Sequence, residues 1–111
     1  MIKIKRVYEP YDSSDGKRIL IDRLWPRGLS KDKAKISLWL KDIAPSAELR
    51  KWFGHDPEKW PEFQKRYKNE LDSNKESAEA LRQQLKDGSI ILVYGAKDEK
   101  HNDAVVLAEY L

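Results

Sequence analysis

Two runs of consecutive apolar residues stand out in the pattern of hydrophobic and polar positions. Residues 19–21 (Ile-Leu-Ile) and 90–93 (Ile-Ile-Leu-Val) are each flanked by polar or turn-forming residues. A short, continuous apolar run is typical of a central strand that is covered on both faces. Residues 2–7 instead place Lys and Arg between apolar side chains, which predicts a half-exposed strand. The direction of this first strand stays open.

Apolar residues spaced by three and four predict helices along the rest of the chain. Ser30 is a candidate cap for a short turn that ends near Ala34. Ser73 and Glu76 match a capping box that starts another helix, and Asn102 is a candidate N-cap for the last one. The longer predicted helices cover residues 47–53 between Ser46 and Gly54, residues 57–71 after Asp56, the segment between Ser73 and Asp87, and residues 103–110.

Residues 36–43 fit two structures. Ile36, Leu38 and Leu40 alternate as in a strand, whereas Ile36, Leu40 and Ile43 also fit the spacing of a helix. We favour an extended segment, and both alternatives stay open at this point. The pair Ala44-Pro45 ends the segment in either case, because a residue before proline avoids the α region.

The order of these elements predicts the fold class. Residues 19–21 and 90–93 are separated by about seventy residues of mostly helical chain, and such a crossover makes two strands parallel. We therefore expect a single α/β domain over residues 1–111, with a mostly parallel sheet of three to four strands flanked by about four helices. The loops at residues 22–28 and 94–102 then share the carboxyl edge of the sheet, where ligands bind in α/β proteins.

Composition excludes disulfides, thiolate catalysis and cysteine-based metal sites, because the chain has no cysteine. Its 22 Lys and Arg nearly balance 19 Asp and Glu, for a net charge of +3. Residues 1–6 lack the apolar region of a signal peptide, and no apolar run is long enough to span a membrane. We expect a cytoplasmic protein without cofactor or metal; His55 and His101 with Asp22 or Asp98 lack the spacing of a metal site. We identify no phosphate-binding glycine loop, no nucleophile elbow and no useful carboxylate pair.

Polar residues in the two edge loops are the candidates for function. Arg23, Trp25 and Arg27 suit a planar anion or a base, because guanidinium groups match such ligands in plane and charge. In the second loop, His101 is a candidate general acid or base beside Asp98. The remaining candidates for ligand binding are Lys97, Asn102 and His55. The structural alternatives are a helix cap for Asn102 and a surface position for His55.

Several stretches match one known family in order along the chain. They are residues 5–8, 22–28 (Asp-Arg-Leu-Trp-Pro-Arg-Gly), 39–42, 44–46, 49–57 and 96–102 (Ala-Lys-Asp-Glu-Lys-His-Asn). The chain resembles the YeaO-like branch of a bacterial family catalogued as a domain of unknown function. This resemblance implies a small cytoplasmic α/β domain and no established activity, substrate or cofactor. Relatives in the broader family often carry Cys-Ala-Glu-Lys-Asp-Pro-Glu-His-Cys-His-Arg after the last strand. Here Lys97, Asp98 and His101 are retained and both cysteines are missing.

The leading functional hypothesis is a domain that binds a small anionic or phosphorylated ligand at the carboxyl edge of the sheet. In this hypothesis Arg23, Arg27 and Lys97 hold the anion and His101 transfers a proton. The alternatives are a nucleic-acid-binding module, suggested by a pI near 9.0 and four tryptophans, and a protein-interaction module without catalysis. The interspersed charges make the nucleic-acid module the less favoured one. The pattern does not define an oligomeric state.

Overall fold

A computed structural model describes residues 2–111, and its centre is a four-stranded, fully parallel sheet. The strands are β1 (Lys3–Arg6), β2 (Lys17–Leu20), β3 (Leu38–Trp39) and β4 (Ile90–Tyr94), in the order β1-β4-β2-β3. β4 pairs with β1 on one side and β2 on the other, with Ile19 opposite Leu92. The predicted α/β class is confirmed, and the open direction of the first strand is settled as parallel.

Within residues 2–111, five α-helices pack around this sheet. They are α1 (Lys31–Ala34), α2 (Ala47–Phe53), α3 (Trp60–Asp72), α4 (Lys75–Lys86) and α5 (Asp103–Tyr110). α1 is a single turn, which accounts for the difference from the four helices expected. In the ambiguous segment 36–43, Leu38–Trp39 forms β3 because it pairs with β2, and Lys41–Ile43 is a 3-10 turn. The extended interpretation is thus confirmed for the first half of the segment.

Side-chain caps fix most helix starts where the sequence predicts them. Ser30, Ser46 and Asn102 each cap an α-helix by accepting a hydrogen bond from the backbone N–H three residues further on. Asp56 accepts from the Glu58 N–H and caps a 3-10 turn, Pro57–Lys59, so α3 begins at Trp60 and not at residue 57 as predicted. The capping box proposed for Ser73 and Glu76 is wrong. Ser73 ends α3, and α4 follows Asn74, whose side-chain amide donates to the backbone oxygen of Asp42 at 2.9 Å. The turn between α3 and α4 is therefore held by a hydrogen bond to a distant residue and not by a local cap.

The sheet separates two layers of core. One layer holds Ile19 and Leu92 with the buried faces of α2, α3 and α5, and the other holds Leu20 and Val93 with α1 and the loop before it. β4 is buried along its whole length. The carboxyl ends of β2 and β4 therefore emerge between two layers, which brings their following loops together. No helix within residues 2–111 has the length and apolar character needed to cross a lipid bilayer.

Candidate functional site

A cavity of about 850 Å³ opens at the carboxyl edge of β2 and β4. Its walls come from residues 22–27 after β2, from α2, and from the β4–α5 loop up to Asp103. We call it the rim cavity. Its position follows from the fold, because two neighbouring parallel strands release their loops at the same edge.

Most of the predicted site residues meet at this cavity. The six that line it are Arg23, Trp25, Arg27, His55, His101 and Asn102. Asp98 is not in the lining, but its carboxylate contacts His101. Lys97 is exposed and lies outside the lining. The structure thus brings the two loops together as expected and leaves Lys97 apart from the other cations.

Two arginines of the rim cavity, Arg23 and Arg50, have a buried Nε atom without a hydrogen-bond partner in the described part of the chain. Arg23 donates to the backbone oxygen of Ala44 at 3.4 Å. Among residues 2–111, no carboxylate lies within 4.0 Å of either guanidinium group. Because both side chains are partly buried, water screens their charge less than it screens that of a surface arginine.

The same cavity contains a pair of carboxyl groups, Asp22 and Asp103. Asp22 accepts a hydrogen bond from the Gly95 backbone N–H at 2.7 Å, and its carboxyl lies within hydrogen-bonding reach of that of Asp103 at the start of α5. Burial, followed by the charge of Asp22 and the bond to it, raises the pKa of Asp103 well above its usual value. The pair therefore holds a proton under conditions in which an exposed aspartate is ionised.

His101 is held in place on two sides. Its Nδ1 lies 2.8 Å from a carboxylate oxygen of Asp98, and its ring meets that of Trp60 edge to face, with centroids 5.1 Å apart. The hydrogen bond from His101, and then those from the backbone N–H groups of Lys100 and His101, lower the pKa of Asp98. An ionised Asp98 favours the tautomer with the proton on Nδ1, which leaves Nε2 as the acceptor.

Aromatic side chains form much of the apolar part of the cavity. Trp25 packs edge to face against Trp39 with centroids 5.5 Å apart, and its Nε1 donates to the backbone oxygen of Leu29 at 2.6 Å. On the opposite side of the cavity, the ring of Phe53 stacks on that of Phe63, with centroids 4.2 Å apart. These contacts fix the rings in place before any ligand arrives.

Of the predicted ligand-binding residues, Asn102 has a structural role and His55 lies at the surface. Asn102 is 2 % exposed and caps α5, since its side-chain oxygen accepts from the Val105 N–H at 3.1 Å. His55 is exposed and has a positive φ of 58°.

Within residues 2–111, no three His, Asp or Glu side chains come close enough together to hold a metal ion.

Sequence reasoning missed three partly buried charged residues of the rim cavity: Asp22, Arg50 and Asp103. Asp22 directly follows the first apolar run, which is a signal for the carboxyl edge, but nothing local links it to Asp103. Asp103 stands in the first turn of α5, where an acidic residue complements the helix dipole, and that local role gives no signal for a contact with Asp22. Arg50 lies on a helix whose orientation depends on packing, so its position in the cavity has no sequence signal.

The fold and the rim cavity together define a parallel α/β domain with a charged cavity at the carboxyl edge of its central strands. The chain belongs to the family described as the inactive DUF488-N3 subclade, which it matches over residues 1–111. It is 42% identical over 110 residues to the uncharacterized protein YeaO of Escherichia coli (strain K12), covering 99% of this chain and 96% of that protein. An uncharacterized protein of Mycobacterium tuberculosis (strain H37Rv) is 41% identical over 110 residues, covering 99% and 92%. The YeaO-like resemblance is thereby confirmed. Comparison with solved structures gave no match.

Proposed function

We propose that this protein binds a small anionic or phosphorylated ligand in the rim cavity. The observation that carries the proposal is the placement of Arg23 and Arg50. They come from different elements, line one cavity and, in the part of the chain that the structure describes, have no carboxylate partner. A guanidinium group matches a carboxylate or phosphate with two parallel hydrogen bonds. Arg27 and Lys51 add exposed positive charge to the lining.

Binding without turnover is the simplest form of this function. The description of the family as an inactive subclade agrees with it. A nucleic-acid-binding surface has less support, because cations on the long helices pair with neighbouring acids. Arg66 lies 3.1 Å from Glu62, and Arg82 lies 3.9 Å from Glu79. Such pairs are typical of a solvated helix face.

Titration calorimetry with inorganic phosphate, sulfate, sugar phosphates and small dicarboxylates tests the proposal. We expect at least one of these anions to bind and Arg50→Gln to weaken it about 10- to 100-fold, the value of a charge-assisted hydrogen bond. Arg66→Gln is the matched control, because Arg66 lies on the outer surface of α3 and outside the cavity lining. Absence of binding by every anion, or equal losses in both variants, would contradict the proposal.

Proton transfer by His101 is a second candidate function. It is favoured by the 2.8 Å contact between Asp98 and Nδ1, which leaves Nε2 of a cavity-lining imidazole free to exchange a proton. The side chain of His101 is 30% exposed, so a ligand can reach it.

Incubation with each anion that binds, followed by ¹H and ³¹P NMR, tests this second candidate. Conversion of a bound anion by the unmodified protein, lost in His101→Gln while binding is retained, would support it. An unchanged ligand spectrum with every bound anion would restrict the function to binding.

A further inference from the structure

We infer, on the basis of the proposed function, that the ligand of the rim cavity is a nucleoside monophosphate. The lining combines three kinds of chemistry that such a molecule requires. Unpaired guanidinium groups suit the phosphate, carboxyl oxygens suit the hydroxyl groups of a ribose, and a fixed indole ring suits the base.

The size of the cavity argues against a simple inorganic anion. About 850 Å³ lies within the range of roughly 300–1,000 Å³ that is typical of sites for drug-sized ligands. A lone phosphate bound by Arg23 and Arg50 would leave most of this volume and the apolar walls in contact with water. A ligand with an apolar part would remove that surface from water.

Trp25 is the side chain best placed to contact a base. It is partly buried, lines the cavity, and is held by Trp39 and by its bond to Leu29. A rigid aromatic ring of this kind stacks on any nucleic-acid base. Leu24, the residue before it, is 68% exposed and lines the same cavity, which extends the apolar surface toward the opening.

The carboxyl groups of Asp22 and Asp103 supply the third contact. Both line the cavity, and neither has a cationic partner within 4.0 Å in residues 2–111. Acidic side chains at the carboxyl edge of a parallel sheet accept hydrogen bonds from ribose hydroxyls in other α/β proteins.

The cationic and aromatic contacts belong to different walls. Arg50 is on α2, which packs on one face of the sheet, whereas Trp25 packs with the core of the other face. Asp22 follows β2 between them. A ligand that contacts Arg50, Asp22 and Trp25 must extend across the edge of the sheet, with its charged group at one end and its ring at the other. A nucleotide has this arrangement of phosphate, ribose and base.

Calorimetric titration with inorganic phosphate, ribose 5-phosphate and the four common nucleoside 5′-monophosphates tests this inference. We expect at least one nucleotide to bind about 5- to 150-fold more tightly than ribose 5-phosphate, which corresponds to the ~1–3 kcal/mol of one base–aromatic stack. Trp25→Leu should remove this advantage, so that the nucleotide binds the variant no more tightly than ribose 5-phosphate does. Trp52→Leu is the matched control, since Trp52 is a partly buried tryptophan outside the cavity lining.

The outcomes separate this inference from the proposed function. Equal affinity for ribose 5-phosphate and all four nucleotides, or binding of dicarboxylates alone, would overturn the inference and leave anion binding intact. Failure of every anion to bind would overturn both.

A second measurement covers the case in which Trp25→Leu does not fold. In the unmodified protein, the Nε1–H resonance of Trp25 should shift on titration with the nucleotide and stay in place with ribose 5-phosphate. A Trp25 resonance that is unmoved by a bound nucleotide would overturn the inference without any substitution.

Discussion

The carboxyl groups of Asp22 and Asp103 lie within hydrogen-bonding reach of each other in the rim cavity, although 80 residues separate them in the chain. Asp22 ends the segment that emerges from β2, and Asp103 is the first residue of α5. Asp22 also accepts the Gly95 N–H, so the pair joins three elements at the floor of the rim cavity. A contact between two acids is stable only if one of them keeps a proton, which makes this junction sensitive to pH.

Stability should fall as the pH rises because of Asp103. Its folded pKa is raised above the unfolded value near 4, so the stabilisation is complete below about pH 4 and is lost as the pH rises through the folded pKa. The free energy of unfolding falls by up to about 1.4 kcal/mol per pH unit over the pH range in which unfolding releases one proton. In Asp103→Asn the amide can donate to Asp22 at every pH, and we expect a flatter profile. Urea denaturation between pH 5 and 9 measures both slopes.

Other shifted carboxyl groups do not confuse this measurement. The pKa values of Asp12, Asp15 and Asp98 are lowered, so their contributions are already complete above the unfolded pKa and are lost only on acidification. Asp87→Asn is the control, since Asp87 is exposed at the end of α4. Parallel profiles for the unmodified protein and Asp103→Asn would show that Asp103 is ionised in the folded state.

A buried ion pair away from the cavity gives a second prediction. Arg18 is 0% exposed and donates to Asp15 at 3.2 Å and to the backbone oxygen of Val7 at 2.9 Å. Burial opposes ionisation of Asp15, but hydrogen bonds from the Asp12 N–H and from Lys5 and Arg18 lower its pKa overall. Asp15→Asn leaves the guanidinium without its counter-charge, and we expect a loss of about 3–5 kcal/mol in the free energy of unfolding.

The double variant Asp15→Asn with Arg18→Met separates the charge effect from lost packing. We expect it to be more stable than Asp15→Asn alone, because the uncompensated charge is gone. Chemical denaturation of the unmodified protein, the single variants Asp15→Asn and Arg18→Met, and the double variant measures this coupling. Additive losses would mean that Arg18 and Asp15 contribute independently.

Patterns among neighbouring residues predicted the strands and helices that depend on local sequence. Contacts between residues far apart in the chain could not be predicted from those patterns. The β4 strand and the bounds of α5 follow from a continuous apolar run and from the cap at Asn102. β3 has two residues and is a strand only because it pairs with β2, so its periodicity could not decide between strand and helix. Asp22 and Asp103 meet because β2 and β4 are neighbours, and that adjacency gives the floor of the cavity a charge pattern that neither loop reveals alone.

Gly16 is predicted to tolerate no side chain. Its φ is 67°, and a Cβ atom would lie 2.4 Å from the backbone oxygen of Ser89. That oxygen accepts the Lys17 N–H at 3.0 Å where β2 begins. Gly16→Ala should therefore destabilise the protein by at least about 2 kcal/mol through backbone strain and overpacking together.

Gly28→Ala measures the loss of stability that backbone strain causes without steric overlap. Gly28 has a φ of 75°, and its added Cβ would meet nothing within 4 Å. We expect it to cost about 1 kcal/mol, the value of a strained φ alone. Thermal and urea unfolding compare the two variants, and equal losses would show that the strand has room to move away from the new methyl group.

Asn102 can be tested as a cap and as a ligand residue in the same experiment. Its side chain accepts from Val105 and donates to the backbone oxygen of Asp98 at 2.9 Å. Asn102→Ala removes both bonds and should cost about 0.5–2 kcal/mol, whereas Asn102→Ser can retain the cap and should recover part of this loss. If the residue acts only as a cap, Asn102→Ser binds the anion identified by calorimetry as tightly as the unmodified protein does. A variant of nearly normal stability that loses as much affinity as Arg50→Gln would instead place the Asn102 amide in contact with the ligand.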